Sequence, residues 1–256
     1  MPLEIHEFIC RSDNYGVLIH DETSGVTASI DAPDAAAIDR ELISKGWKLN
    51  HILTTHHHSD HVDGNLELKE KYGCTIAGPK AEASKIPGLD EQVLGGQRFR
   101  LADFTVNVFA CPGHTLGHIA FHMPDAKLLF AGDTLFAMGC GRVLEGSMAE
   151  MWQSVTQFRT LPPDTSVYCG HEYAEANARF AVTVEPGNNK LLASVRHVSE
   201  QSKKGEMTCP TTIAQELDTN PFLRTDSPEI RRILGLETAS DSQVFAGLRQ
   251  RKDNFR

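Results

Sequence analysis

Four short apolar stretches of this chain each run straight into residues that can hold a metal, and that repetition narrows the folds open to it. His51–Thr55 leads into T-T-H-H-H-S-D-H (54–61), where His56, His57, His58, Asp60 and His61 fall within six positions. Thr105–Ala110 leads into C-P-G-H-T-L-G-H (111–118) with His114. Leu128–Ala131 leads into Asp133, in F-A-G-D-T-L-F (130–136), and Ser166–Cys169 into His171, in Y-C-G-H-E-Y (168–173). Bounded by turn formers, these stretches read as strands about five residues long. Loops at strand ends are where layered folds place their functional groups. An acid just past a buried strand, as Asp133 is, is costly to bury unless paired or bound to a cation. A solvated polar loop accounts for a lone histidine, but not for four such strand ends in series.

Within the first loop, His56 and His58 are two apart, so in an extended segment they point the same way and His57 points the other. Asp60 and His61 lie one turn on and can face the same cavity. Further strands are predicted at Tyr15–His20, Val26–Ile30, Thr75–Ala77 and His118–His122, and helices at Asp34–Lys45, Asn65–Tyr72, Met148–Thr160 and Ala174–Val184. Such a mixture argues for sheets covered by helices, an α+β fold. Beyond residue 174 the pattern turns helical: Asn189–Gln201, Thr212–Leu217, Ser227–Leu234 and Asp241–Asp253, broken by Gly205, Pro210, Pro221 and Pro228. The expected organisation is a mixed domain of sheets and helices over 1–173 and a smaller helical domain over 174–256.

A net charge of −9 argues against nucleic acid or an acidic membrane surface as partner. No basic segment followed by an apolar one opens the chain, and no run approaches 18 apolar residues, so neither export nor a membrane span is expected. The six cysteines are scattered with no C-x-x-C pair, which reads as reduced thiols and a cytoplasmic location. His118 and His122, on an apolar strand, read as structural. The tail carries Arg249, Arg251, Lys252 and Arg256 against Asp253 alone. Arg249 and Lys252 share a helix face, and a solvated helix end is a sufficient reason for such charges.

Taken together, H-x-H-x-D-H followed by a separate His, Asp and His resembles the metallo-β-lactamase superfamily. That resemblance implies an αββα sandwich with metals at one edge. It also implies that His56, His58 and His114 bind one metal, that Asp60, His61 and His171 bind a second, and that Asp133 bridges them. Imidazoles and carboxylates without a thiolate suit zinc, iron or manganese, zinc being the first expectation and two divalent ions per chain the count. Two such ions lower the pKa of a shared water toward about 7, so hydrolysis is the natural chemistry.

Over nearly its whole length the chain further resembles the glyoxalase II family, the hydroxyacylglutathione hydrolases. The resemblance rests on D-N-Y (13–15), G-H-T-x-G-H, G-D-T-L-F, G-C-G-R-V-L-E-G (139–146), G-H-E-Y, N-P-F-L-R (220–224) and R-Q-R-K-D-N-F at the tail. It implies hydrolysis of S-D-lactoylglutathione to glutathione and D-lactate in methylglyoxal detoxification, by a monomer. Asp60 would orient the attacking water, and Asp133 would bridge the metals. Arg249 and Lys252 would grip the glycine carboxylate of glutathione, Arg142 would lie near its backbone, and Tyr173 would donate its hydroxyl. The chain departs from the family pattern at Ser59 and at Leu144, where a large or aromatic residue is usual, and Arg142 replaces a common lysine. A single-iron glutathione persulfide dioxygenase of the same fold is the alternative.

Overall fold

The computed structural model describes residues 3–255; Arg256, counted in the basic tail, lies outside them. The chain forms two compact units, one of Met1–Ala110 with Thr115–Gly132, the other of Cys111–His114 with Asp133–Arg256.

In the first unit, β1 (Leu3–Cys10) pairs antiparallel with β2 (Asn14–Asp21), and β2 with β3 (Val26–Ile30). The chain then crosses over through α1 (Ala35–Lys45) to β4 (Leu49–Leu53), which lies parallel to β3. Asp34 caps α1 by accepting from Ala37 N, and Gly46 closes it in the left-handed conformation. The short α2 (Ser59–Val62) and then α3 (Asn65–Tyr72) lead to β5 (Thr75–Pro79), parallel to β4, and to β6 (Glu91–Val93), parallel to β5. Leu18, Ile38, Leu42, Leu49, Ile52, Leu68 and Ile76 fuse sheet and helices into one core. Burying each such side chain contributes about 1.5–3 kcal/mol.

An antiparallel meander completes this unit: β7 (Arg98–Leu101), β8 (Phe104–Ala110), β9 (Ile119–Met123) and β10 (Leu128–Gly132). Every residue of β9 and β10 is buried, so both faces of these strands are covered. The strands expected from Tyr15 onward are present. β1, β6 and β7 were not foreseen, because they are largely half-buried or exposed and lack an apolar run.

The second unit opens with a two-stranded hairpin, β11 (Leu135–Phe136) and β12 (Gly139–Cys140). Next comes α4 (Met148–Gln157), held by a reciprocal cap between Ser147 and Glu150. β13 (Ser166–Cys169) pairs with β14 (Thr211–Thr212) across α5 (Ala174–Val184) and α6 (Asn189–Lys204). The chain ends in α7 (Ile213–Thr219), α8 (Pro228–Leu234) and α9 (Asp241–Asp253). Phe180, Phe222 and Phe245 pack ring on ring at its centre. Among the described residues, no helix is long and apolar enough to cross a membrane.

Candidate metal centre and substrate pocket

In the first unit, the histidine-rich loop leaves the carboxyl end of the parallel strand β4, the position where open α/β sheets bind ligands. Asp31, just beyond β3 and at φ +56°, anchors it. Its carboxylate accepts from Thr55 N at 2.7 Å and Thr55 Oγ1 at 2.8 Å, and pairs with His61 Nδ1 at 2.8 Å. With Nδ1 engaged, His61 presents Nε2 as its ligating atom, 3.7 Å from Asp60 Oδ2. His56 Nε2 and His58 Nδ1 converge to 3.0 Å. Asn14, from the D-N-Y stretch, donates to the Asp60 carboxylate at 3.2 Å and to its carbonyl at 3.0 Å.

His57 turns elsewhere: its ring Nδ1 and its backbone N both meet Glu82 Oε2, at 2.8 and 2.7 Å, while Glu82 Oε1 accepts from Gly117 N. His118 is buried and stacks on His56 at 4.7 Å, and His122 is buried within β9, where desolvation lowers its pKa. Gly132 is required beneath this cluster. A Cβ at its φ of +50° would meet His118 Nε2 and Thr55 Oγ1 at 2.8 Å.

In the second unit, His114 Nδ1 lies 2.9 Å from the carbonyl oxygen of Arg142. A carbonyl only accepts, so Nδ1 carries the proton and Nε2 is left to ligate. That Nε2 is 3.3 Å from Asp133 Oδ2, and His171 Nε2 is 3.4 Å from the same oxygen. One buried carboxylate oxygen facing two imidazole nitrogens is a donor set that fits a cation. Gly141 packs so closely on this segment that a Cβ would lie 1.9 Å from Asp133 O.

The same unit holds a cavity of about 520 Å³ lined by His114, Asp133, Phe136, Arg142, Tyr173 and Lys252, among others. Arg142 and Leu144 are exposed at it. The Tyr173 ring stacks on His171 at 4.8 Å. Arg249 also lines the cavity, yet it is only 3% exposed. Its Nη1 donates to Cys140 O at 2.8 Å, it pairs with Asp253 at 2.9 Å, and it lies over the Phe222 ring. Lys252 donates to Ala176 O at 2.8 Å; burial, reinforced by neighbouring Arg249, pulls its pKa down to about 8. A solvated helix end therefore does not describe these cations.

Sequence reasoning passed over Asp31 and Glu82. Asp31 carries the same strand-then-acid signal as Asp133, whereas Glu82 sits in a polar segment with nothing to mark it.

Residues 30–171 match the model of the metallo-beta-lactamase superfamily, and residues 172–255 match that of the hydroxyacylglutathione hydrolase C-terminus. The hydroxyacylglutathione hydrolase of Rhizobium meliloti (strain 1021) is 56% identical over 99% of this chain and 99% of its own length. The chain belongs to the hydroxyacylglutathione hydrolase family. The hydroxyacylglutathione hydrolase of Brucella anthropi is likewise 56% identical, over 99% of this chain and 97% of that protein. Among solved structures, ETHE1 from Myxococcus xanthus superposes with a TM-score of 0.66 at 26% identity, covering 98% of each chain. TTHA1623 in a di-iron-bound form gives 0.62 at 22% identity over 86% of this chain, a likeness of fold. This member of the family is thus a hydrolase with the metallo-β-lactamase fold followed by a helical C-terminal segment, and its imidazole–carboxylate clusters suit a metal-binding enzyme.

Proposed function

We propose that this hydrolase cleaves S-D-lactoylglutathione and related 2-hydroxyacyl glutathione thioesters to glutathione and the free hydroxy acid, detoxifying methylglyoxal. The observation that carries the reading is that one cavity is lined both by Asp133 with its flanking imidazole and by the cations Arg142, Arg249 and Lys252. On this reading residues 1–173 form the catalytic domain and residues 174–256 the glutathione-binding one, in a cytoplasmic monomer.

His56, His58 and His114 would hold one divalent cation, Asp60, His61 and His171 a second, with Asp133 shared; zinc is expected, with iron or manganese as alternatives. When bound, such cations make hydroxide available at neutral pH and offset the charge that develops on the carbonyl oxygen. The chain's own groups do the rest. Asp60, steadied by Asn14, orients the attacking water. Lys252 and Arg249 meet the glycine carboxylate, Tyr173 donates its hydroxyl to the thiol carrier, and Arg142 lies along the peptide. The departing thiolate has a parent pKa of about 8.5, so no strong general acid is needed, and no cysteine of the chain takes part.

The test is thiol release from S-D-lactoylglutathione before and after metal stripping, with metal assayed on the same sample. Metal-dependent release with about two ions per chain is expected; a fully metallated sample without hydrolysis overturns the reading.

Lys252 gives the reaction a pH dependence of known sign. Its pKa of about 8 makes it a cation below that pH and a neutral amine above it. The KM for the glutathione thioester should therefore climb as pH passes 8, with kcat following less. Lys252→Arg, charged throughout, should abolish the climb. An identical KM profile in the two proteins would remove Lys252 from carboxylate binding.

A further inference from the structure

The β11–β12 hairpin separates two cavities of the second unit. Phe136 and Cys140 line the 520 Å³ substrate cavity, whereas Ala137 and Met138 line another of about 230 Å³ together with Glu216. The turn is strained, because Met138 has φ +53°, a region that suits glycine rather than a methionine. It persists because polar side chains grip its backbone at every step. Glu216 Oε2 accepts from Met138 N at 2.9 Å and from Asn220 Nδ2 at 2.8 Å. The same Asn220 nitrogen reaches Phe136 O at 3.2 Å and Gly139 O at 2.9 Å. Asn177 Nδ2 donates to Ala137 O at 3.1 Å, and Arg249 takes Cys140 O.

Glu216 is 1% exposed and touches neither the substrate cavity nor any proposed metal ligand. A buried acid with no ion partner is an expensive way to fill a core. We propose that Glu216, acting through Asn220 and the amide of Met138, is a positioning residue that sets the β11–β12 hairpin as the wall of the glutathione pocket. The inference rests on the proposed function and deepens it.

The bond pattern states what Glu216 must supply, which is one oxygen accepting from two donors while its other oxygen faces Thr211 Oγ1 at 2.7 Å. That hydroxyl lies 3.2 Å from Gln215 Oε1 and can donate there, so the arrangement tolerates a proton on the Thr211 side. Burial does push the Glu216 carboxyl up to about 7. Because the grip on the hairpin needs an acceptor and not a charge, an amide can replace the acid. Glu216→Gln keeps an oxygen for Met138 N and Asn220 and offers its NH₂ to Thr211. Glu216→Leu keeps the volume and loses the acceptor.

The experiment compares the metallated wild type, Glu216→Gln and Glu216→Leu on two substrates, S-D-lactoylglutathione and the lactoyl thioester of N-acetylcysteamine, which lacks the glycine carboxylate. Hydrogen exchange at residues 134–141 is followed in parallel. For Glu216→Leu the KM for the glutathione thioester should rise roughly tenfold with kcat nearly kept. The short thioester should be cleaved as by the wild type, and the Met138 amide should exchange faster. Glu216→Gln should restore all three. Equal losses on both substrates, or unchanged KM and exchange in Glu216→Leu, would overturn the proposal. A wild type inactive on the glutathione thioester would refute the substrate assignment instead, and exchange alone would then decide the hairpin's dependence on Glu216. If Glu216→Leu does not fold, Asn220→Ala, which cuts the arm to Phe136 O and Gly139 O, should show the same selective rise in KM.

Discussion

Asp133→Ala is expected to purify without its full metal complement and to lose turnover of S-D-lactoylglutathione by on the order of 10³-fold. The carboxylate is buried, and one of its oxygens lies 3.3 and 3.4 Å from the ligating nitrogens of His114 and His171. Removing it takes from the site the one carboxylate oxygen on which both imidazoles converge. A bound cation supplies several kcal/mol of transition-state charge stabilisation, and each 1.36 kcal/mol lost is a factor of ten in rate. The check is metal content after equilibration with excess zinc, beside kcat on the same sample. A variant with full metal and full turnover would exclude Asp133 as a ligand.

The largest effect on stability is expected far from that carboxylate, at Glu185. It is 3% exposed and collects four donors: Arg224 Nε and Nη2, both at 2.8 Å, Ser227 Oγ at 2.6 Å and Asn188 Nδ2 at 2.9 Å. Burial raises its pKa, but Arg224, Ser227 and Asn188 together outweigh that and leave the carboxyl below its ordinary 4.5. Glu185→Ala strands these donors, and because Arg224 keeps some contact with water the cost should fall near the lower end of the range for buried pairs, about 3 kcal/mol. The sign with pH follows from the lowered folded-state value. The stabilisation is fully present above the unfolded carboxyl's 4.5 and is lost as pH falls through the folded pKa. Urea unfolding should therefore separate wild type and variant widely at pH 7 and progressively less below 4.5. A gap that stays constant across that range would refute the ion-pair account.

Some of this could be read in advance. Asp133 was legible because an ionisable group directly after a buried strand and a glycine has few reasons to be there, and three histidine-bearing loops share its grammar. The helices of the second unit were legible for local reasons as well: Ser240, followed by Gln243 three residues on, starts α9 where the pattern placed it. Asp31 escaped notice because a single acid at a strand end, without histidine or glycine beside it, looks like an ordinary turn residue. The setting of Arg249 was not legible. Cations near a helix end normally face water, and nothing local reveals that Phe222, Cys140 and Asp253 pack around this one. Glu216 was invisible for the same reason, since its partners stand between 4 and 78 residues away in the chain. Position along the chain exposes what a loop carries; it does not expose which long-range neighbours a helix face will meet.

The disposition of the cysteines has a consequence for an enzyme exposed to free thiols. Five of the six are buried and Cys209 is half-buried, and desolvation drives Cys140, beside the substrate cavity, up to about 11. Thiol–disulfide exchange needs an accessible thiolate. A catalyst whose product is glutathione works in steady contact with that thiol and its oxidised dimer, and these sulfurs offer the pair almost no foothold. Its throughput should follow substrate supply through episodes of oxidation, instead of being throttled by mixed-disulfide formation with its own product.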